Sequence, residues 1–226
     1  TVTVPLRALF VPKAEKAITI DGDLSDWQDV APVVLTVKNS VQNTPWSDAM
    51  KKNTVSFRSK WSSDRLYLAI EVKKDGFHPV DTLGEGSTWQ GDGIQFALDT
   101  IANAPKGTAG YQDDDFEYSL SLYQGKPLLM RQAGSASTYD SLAKPLGRTD
   151  QGDCAIRKTA DGVVYELALP PVSISPFKLL PGSATRFNFI VNMNDGQKRI
   201  GWIELTPGIG QQPKRPDQFM DMVLLP

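Results

Sequence analysis

Apolar and polar residues alternate with a period of two in segment after segment of this 226-residue chain. Successive side chains of a strand point to opposite faces, so each such segment predicts a strand with one buried face. Clusters of Gly, Pro, Asn and Asp separate the segments, as is typical of antiparallel strands joined by turns. The alternating apolar sets are Val55, Phe57 and Trp61; Leu66, Leu68, Ile70 and Val72; Ile94, Phe96 and Leu98; Phe116, Tyr118, Leu120 and Leu122; Val163, Tyr165, Leu167 and Leu169; and Phe187, Phe189, Val191 and Met193.

Turns and polar loops complete this all-β pattern. Asp161-Gly162 and the segment 194–196 favour chain reversals, because Gly and Asn accept positive φ at little cost. Residues 101–112 and 133–153 are rich in small and polar residues and are predicted to be loops. The sequence predicts an antiparallel β-sandwich, immunoglobulin- or jelly-roll-like, with long loops. We expect a single domain over residues 1–226, with residues 1–16 as a leading segment.

The charge composition argues against two classes of partner. The chain has 24 Lys and Arg against 26 Asp and Glu, a net charge of −2, and no basic run. Nucleic-acid binding needs a concentrated positive surface, so nucleic acid is not an expected partner. No apolar stretch approaches the roughly 20 residues that cross a bilayer, so no membrane span is expected.

Histidine and cysteine offer little material for catalysis. His78 is the single histidine and Cys154 the single cysteine. A His-dependent triad, a multi-His metal site and a cysteine-built zinc site are therefore disfavoured. Carboxylates are plentiful, but the sequence assigns no pair of them to glycoside hydrolysis. We therefore expect a protein without catalytic activity.

Several motifs in the same order resemble the family 9 carbohydrate-binding modules. The chain opens with an Ile-Thr-Ile-Asp-Gly-Asp-Leu-Ser-Asp-Trp segment and continues with a hairpin that contains Asp-Arg-Leu-Tyr-Leu-Ala-Ile. Together the motifs span residues 17–225, and the fold that they imply is the same sandwich. The matching segments are 18–27, 60–70, 89–96, 113–118, 187–202 and 216–219.

The resemblance also implies a sugar site in which two tryptophans stack on a terminal sugar ring. Trp89 matches the first tryptophan of that pattern, and Gln95 stands where the family uses a glutamate. Asn192 stands where a glutamine is usual, and Ser119 replaces an arginine. The second tryptophan is expected at 213–214, where this chain has Pro-Lys. These departures leave the nature of the ligand open.

Strand parity tests this site independently, because residues opposite in parity to the core set face away from the core. Gln95, Ser119 and Asn192 lie on that other face, as do Trp202 and Glu204. We expect a wet sheet face on which amides and an indole bind a neutral polyhydroxylated ligand. The expected ligand-binding residues are Trp89, Gln95, Ser119, Asn192, Trp202 and Glu204.

The remaining tryptophans are assigned differently. Trp61 has core parity and Trp27 follows a turn, so both are expected to pack. Trp46, in a polar loop, fits either a packing or a ligand role.

Two aspartate clusters are candidate calcium sites, since calcium prefers hard oxygen ligands. Asp113, Asp114 and Asp115 form the first cluster, and the segment 21–26 holds the second. The alternative interpretation is that these carboxylates accept hydrogen bonds from nearby backbone amides in turns. Calcium is therefore a candidate structural ion.

The resemblance implies a secreted protein, extracellular or periplasmic, that binds a mono- or oligosaccharide beside a neighbouring catalytic domain in polysaccharide degradation. We expect a monomer. Two alternatives remain open: an interaction sandwich whose sugar site is defunct, and a haem-binding electron carrier. Relatives of this sandwich bind haem, and Met130 and Met193 are the candidate axial ligands.

Overall fold

Two β-sheets pack face to face in the computed structural model, which describes residues 8–40, 44, 46–80, 82–134 and 146–226. The larger sheet has the order β1-β13-β11-β5-β6-β7-β8, with β12 also paired to β11, and the smaller has the order β2-β3-β4-β10-β9. The strands are β1 Ala8–Val11, β2 Val33–Thr36, β3 Thr54–Trp61, β4 Leu66–Lys73, β5 Gly93–Asp99, β6 Asp115–Tyr123, β7 Lys126–Ala133, β8 Gly147–Arg148, β9 Asp153–Lys158, β10 Gly162–Leu169, β11 Ala184–Asn194, β12 Arg199–Glu204 and β13 Met220–Leu224.

Helices are short throughout the described residues. The α-helix α1 covers Pro171–Ile174, and none of the described helices has the length and apolar character to span a membrane. The predicted loop over 133–153 contains the two-residue strand β8, while residues 135–145 lie outside the described part. The 3-10 helices cover Leu24–Trp27, Val37–Asn39, Met50–Lys52, Glu85–Gln90 and Pro216–Gln218.

The core lies between the sheets and consists of the alternating apolar sets. Phe57 of the smaller sheet contacts Phe187 and Phe189 of the larger sheet, with ring centroids 5.5 and 4.8 Å apart. Such aromatic pairs add to the stability that burial already provides. The predicted hairpin is confirmed by the antiparallel pairing of β3 with β4.

Two of the tryptophans that were expected to pack are fully buried. The Trp61 Nε1 donates to the backbone oxygen of Leu225 at 2.9 Å and so ties the hairpin to the C-terminal strand. The Trp27 Nε1 donates to the Glu166 Oε1 at 2.7 Å, on the outer side of the smaller sheet. Trp46 is half-buried and packs against the core, which favours the packing role for it.

The leading segment contributes to the larger sheet. Strand β1 pairs in parallel with β13, whereas the other strand pairs of both sheets are antiparallel. A parallel edge strand requires a long connection, and here nearly the whole chain separates the two strands. Residues 8–11 and 221–224 therefore lie side by side at one edge of the larger sheet.

Strand β11 lies at the centre of the candidate site. Along one of its edges it pairs with two different strands, one after the other. Its first residues pair with β13 and its last residues with β12, while β5 runs along its other side. The segment that joins β12 to β13 folds back over the outer face of the larger sheet. There Ile209 and Phe219 pack on Ala97 and Ile190.

The outer face is therefore less wet than the sequence predicts. Asn188, Asn192 and Glu204 are at most 1% exposed, and Ser119 is equally buried. Parity places these residues correctly on the outer face, but it carries no information about the loop that covers them.

Candidate functional site

A cleft of about 390 Å³ opens on the outer face of the larger sheet, and we call it the sheet cleft. Strand register builds its floor, since Gln95 lies between Ser119 on one neighbouring strand and Ile190 on the other. The lining residues are Trp89, Gln95, Tyr111, Glu117, Gln132, Ala133, Ile190, Arg199, Ile209, Gly210, Gln212 and Lys214.

Trp89 supplies the exposed aromatic surface of the sheet cleft. It lies in the 3-10 helix that precedes β5 and keeps 39% of its surface exposed. Glu85 of the same helix forms an ion pair with Arg148, which links the helix to β8. The structure thus places Trp89 at the cleft, where the sequence predicts a stacking surface.

Glu117 is the centre of a polar network in the floor. Its carboxylate accepts from the Gln95 Nε2 at 2.6 Å and from the Tyr111 hydroxyl at 2.5 Å, and the Lys214 Nζ lies 3.0 Å from it. Burial raises the pKa of the Tyr111 hydroxyl well above its usual value, and the Glu117 charge acts in the same direction. Tyr111 therefore stays a neutral donor, and the network holds Gln95 in a fixed orientation.

Three of the predicted ligand residues support the floor from beneath. The Ser119 hydroxyl accepts from the Gln132 Nε2 at 2.8 Å, and the Asn192 Nδ2 donates to the Gln95 Oε1 at 3.1 Å. Glu204 accepts from the backbone N–H groups of Ile209 and Gly210. Ser119, Asn192 and Glu204 are buried and do not line the sheet cleft, so they position the residues that do.

Trp202 does not present a free face to the sheet cleft. A Cβ at Gly210 would lie 2.0 Å from the Trp202 Nε1, so the loop backbone packs directly on this indole. The Trp202 Nε1 donates to the Glu204 Oε2 at 3.0 Å, and the Arg199 guanidinium carbon lies 4.4 Å from the ring centroid. The indole is enclosed by these neighbours, although the sequence predicts it as a replacement stacking surface.

Comparison with solved structures identifies the architecture. A family 9 carbohydrate-binding module from Caldicellulosiruptor kristjanssonii in complex with cellotriose is 18% identical, with a TM-score of 0.70 over 96% of this chain and 93% of that chain. A family 9 module from the same organism in complex with glucose is 18% identical, with a TM-score of 0.69 over 95% of each chain. The chain has the fold of the family 9 modules. No family model and no curated protein matches the sequence.

The family 9 pattern directs attention to the segment 213–214, where it expects a second tryptophan. Lys214 does lie in the wall of the sheet cleft, and its ammonium group also donates to the backbone oxygen of Ile209 at 2.7 Å. A cation thus occupies a position for which the resemblance implies an aromatic surface. Arg199 and Tyr111 line the cleft as well, but they lie outside the alternating sets, so strand patterning gives no signal for them.

The acidic residues that cluster in the structure differ from the predicted set. Asp99 at the end of β5 pairs in register with Asp115 at the start of β6, and Asp114 joins them. The ligand oxygens of these three residues lie within 4.8 Å of one another, and all three side chains are buried. Asp113 is exposed and stands outside this group. We call Asp99, Asp114 and Asp115 the acidic cluster.

Positive charge compensates the acidic cluster only in part. The Arg186 Nη1 lies 3.2 Å from the Asp99 Oδ2, and backbone N–H groups satisfy other carboxylate oxygens. The Asp115 Oδ1 is buried and has no hydrogen-bond partner. Burial, together with the Asp99 and Asp114 charges, raises the pKa of Asp115 to about 7. The arrangement of three hard oxygen ligands with one open oxygen suits a cation.

The second aspartate cluster follows the turn alternative. The Asp21 and Asp23 carboxylates accept from the backbone N–H groups of residues 23 and 25, and Asp26 accepts from that of Thr19. Asp23 also pairs with the Arg157 guanidinium at 3.0 Å. Backbone amides therefore satisfy these carboxylates.

The candidate haem ligands lie in different surroundings. Met193 is fully buried in the core between the two sheets, where its sulfur accepts a long contact of 3.9 Å from the Asn53 Nδ2. Met130 is 7% exposed on β7, directly across from Ser119. Packing accounts for the position of Met193.

Proposed function

We propose that the chain is a non-catalytic carbohydrate-binding domain whose ligand occupies the sheet cleft. The observation that carries the proposal is the exposed indole of Trp89 beside a floor of preorganised hydrogen-bonding groups. An indole covers the apolar C–H face of a sugar, while amide, carboxylate and ammonium groups recognise its hydroxyls. The likeness in fold to modules solved with cellotriose and with glucose supports this assignment.

The size of the sheet cleft supports a short ligand. A volume of about 390 Å³ lies at the lower end of the range for small-molecule pockets. Gln95 and Gln132 offer both donors and acceptors, and Lys214 offers donors only. The expected ligand is a mono- or oligosaccharide, with one residue stacked on Trp89.

The lining disfavours hydrolysis of the bound sugar. Glycoside hydrolysis uses two carboxyl groups that flank the scissile bond. Glu117 is the single acidic residue among the described lining residues, and three donors already engage it. As further parts of this proposal, the protein is extracellular or periplasmic, is monomeric, and acts beside a catalytic domain that degrades polysaccharide.

A glycan array followed by calorimetric titration tests the sugar site. Trp89→Ala is expected to weaken binding of the selected glycan by about 1–3 kcal/mol, because it removes the stacking surface. Phe10→Ala is the matched control, since Phe10 is 64% exposed on β1 and does not line the cleft. If no glycan binds, or if Trp89→Ala binds as tightly as the parent, the interaction sandwich with a defunct site becomes the better interpretation.

We also propose that the acidic cluster binds a structural calcium ion. Three buried carboxylates with one nearby arginine repel one another unless a cation or a proton is present. Saturating calcium at about 100-fold its Kd should add about 2.7 kcal/mol of stability, visible as a higher melting temperature. Asp115→Asn should remove the calcium response, while Asp113→Asn, an exposed neighbour, should keep it. An equal calcium response in parent and Asp115→Asn protein would contradict this site.

A further inference from the structure

Arg199, the first residue of β12, is a cation without an acidic partner. Its Nε donates to the Asn192 Oδ1 at 2.9 Å, and its guanidinium carbon lies 5.2 Å from the Trp89 centroid and 4.4 Å from the Trp202 centroid. Within the described part of the chain, no carboxylate forms an ion pair with Arg199, and its two terminal nitrogens have no hydrogen-bond partner. Two indoles and one amide therefore fix the guanidinium while its outer donors stay unused.

Arg199 is half-buried and keeps donors for an external ligand. Burial lowers the pKa of Arg199 to about 10, and the Glu204 charge opposes that shift. Glu204 is itself fully engaged by donors from Trp202, Asn188 and the backbone of the following loop. A guanidinium binds a carboxylate through two parallel N–H···O bonds, so an external carboxylate would complete the coordination of Arg199.

The surroundings of Arg199 are also cationic. A second cleft of about 500 Å³ adjoins the sheet cleft, and Arg199 lines both. Lys198 lines the second cleft and Lys214 the sheet cleft. Among the described residues that line the two clefts, Glu117 is the single acid, and Lys214 neutralises it at 3.0 Å. An anionic ligand therefore meets an excess of positive charge here.

We infer that this site selects an acidic glycan, in which the carboxylate of a hexuronic acid residue accepts two N–H groups of Arg199 beside Trp89. The guanidinium covers one face of the Trp89 ring, with its carbon 5.2 Å from the centroid, so the uronate meets the outer nitrogens of Arg199 and does not enter between the two groups. The neighbouring residue of the glycan enters the second cleft beside Lys198. This inference rests on the proposed function and names the class of sugar that the site prefers.

The test compares each acidic trisaccharide with its neutral counterpart by calorimetric titration at low salt. The pairs are α-1,4-linked galacturonate and galactose, β-1,4-linked mannuronate and mannose, and β-1,4-linked glucuronate and glucose. The acidic member of at least one pair should bind about tenfold or more tightly than its neutral partner, because charge-assisted hydrogen bonds are the stronger class. Added salt should reduce this preference.

Variants then assign the preference to Arg199. Arg199→Gln should remove the preference for the acidic form, and Arg157→Gln, which makes the same change at a surface arginine of the smaller sheet, should retain it. Arg199→Lys keeps the positive charge but lacks the paired donors, so it should lose most of the preference for the acidic form. This variant also provides the test if Arg199→Gln does not fold.

The outcomes separate this inference from the proposed function. Neutral trisaccharides that bind as tightly as their acidic partners, or an unchanged preference in both Arg199 variants, would overturn the inference and leave the sugar site standing. A sulfated trisaccharide that binds more tightly than every uronate would overturn the carboxylate assignment. If neither these trisaccharides nor any glycan on the array binds, the proposed function fails as well.

Discussion

The buried ion pair between Lys74 and Asp92 gives the sharpest test of what stabilises the ends of the strands that meet there. Both side chains are 2% exposed. The Asp92 carboxylate also accepts from the backbone N–H groups of His78 at 2.7 Å and Asn194 at 2.9 Å. The Lys74 Nζ donates to the Asn194 backbone oxygen at 3.2 Å. The pair thus joins the end of β4 to the start of β5 and the end of β11.

Removal of either partner should be costly, but to different extents. Lys74→Met leaves Asp92 with two backbone donors, so we expect a loss of about 3 kcal/mol, at the lower end for a broken buried pair. Asp92→Ala leaves a buried ammonium group and two unpaired N–H groups, so we expect about 5 kcal/mol or more. The double variant Lys74→Met/Asp92→Ala removes both charges and should be more stable than Asp92→Ala alone.

Thermal and urea unfolding measure these differences. For a chain of this size, 1 kcal/mol corresponds to about 2–4 °C, so Lys74→Met should melt about 6–12 °C below the parent. Lys73→Met is the matched control, because Lys73 is exposed and pairs only at the surface with Asp161. Two results would refute the reasoning: a Lys74→Met protein that melts with the control, or a double variant less stable than Asp92→Ala.

Two further predictions concern the other buried polar and aromatic groups. Trp61→Ala removes a fully buried indole and its hydrogen bond to Leu225, so the free energy of unfolding should fall by about 3–5 kcal/mol. Urea unfolding measures this loss, and an unchanged midpoint would contradict the assignment of Trp61 to the core. Burial raises the pKa of Glu166 above 4.5, against the opposing hydrogen bonds from Trp27 and the backbone. The folded state therefore binds the Glu166 proton more tightly than the unfolded state, so this group's contribution to stability is lost as the pH rises from 4.5 through the folded pKa. Glu166→Gln should flatten that part of the pH–stability curve relative to the parent, and parallel curves for the two proteins would show that Glu166 does not titrate as its burial implies.

The sequence by itself determined the strands and the side of the sheet on which each residue lies. Alternation is a local property, so the hairpin of β3 and β4, the core position of Trp61 and the outward position of Gln95 could all be predicted from neighbouring residues. The position of Trp89 followed from its motif rather than from periodicity. The structure places Trp89 exposed beside the sheet cleft, and its role in ligand binding stays a prediction.

Only the tertiary structure decided how the outer face is covered and which charges meet there. Asp99 joins the acidic cluster because β5 and β6 pair in a register that periodicity alone does not fix. Lys214 reaches Glu117 from 97 residues away in the chain, and Arg199 approaches Trp89 across the sheet. The Lys214 contact depends on the path of the loop between β12 and β13. No local pattern encodes that path, because it is set by packing between residues that are distant in the sequence.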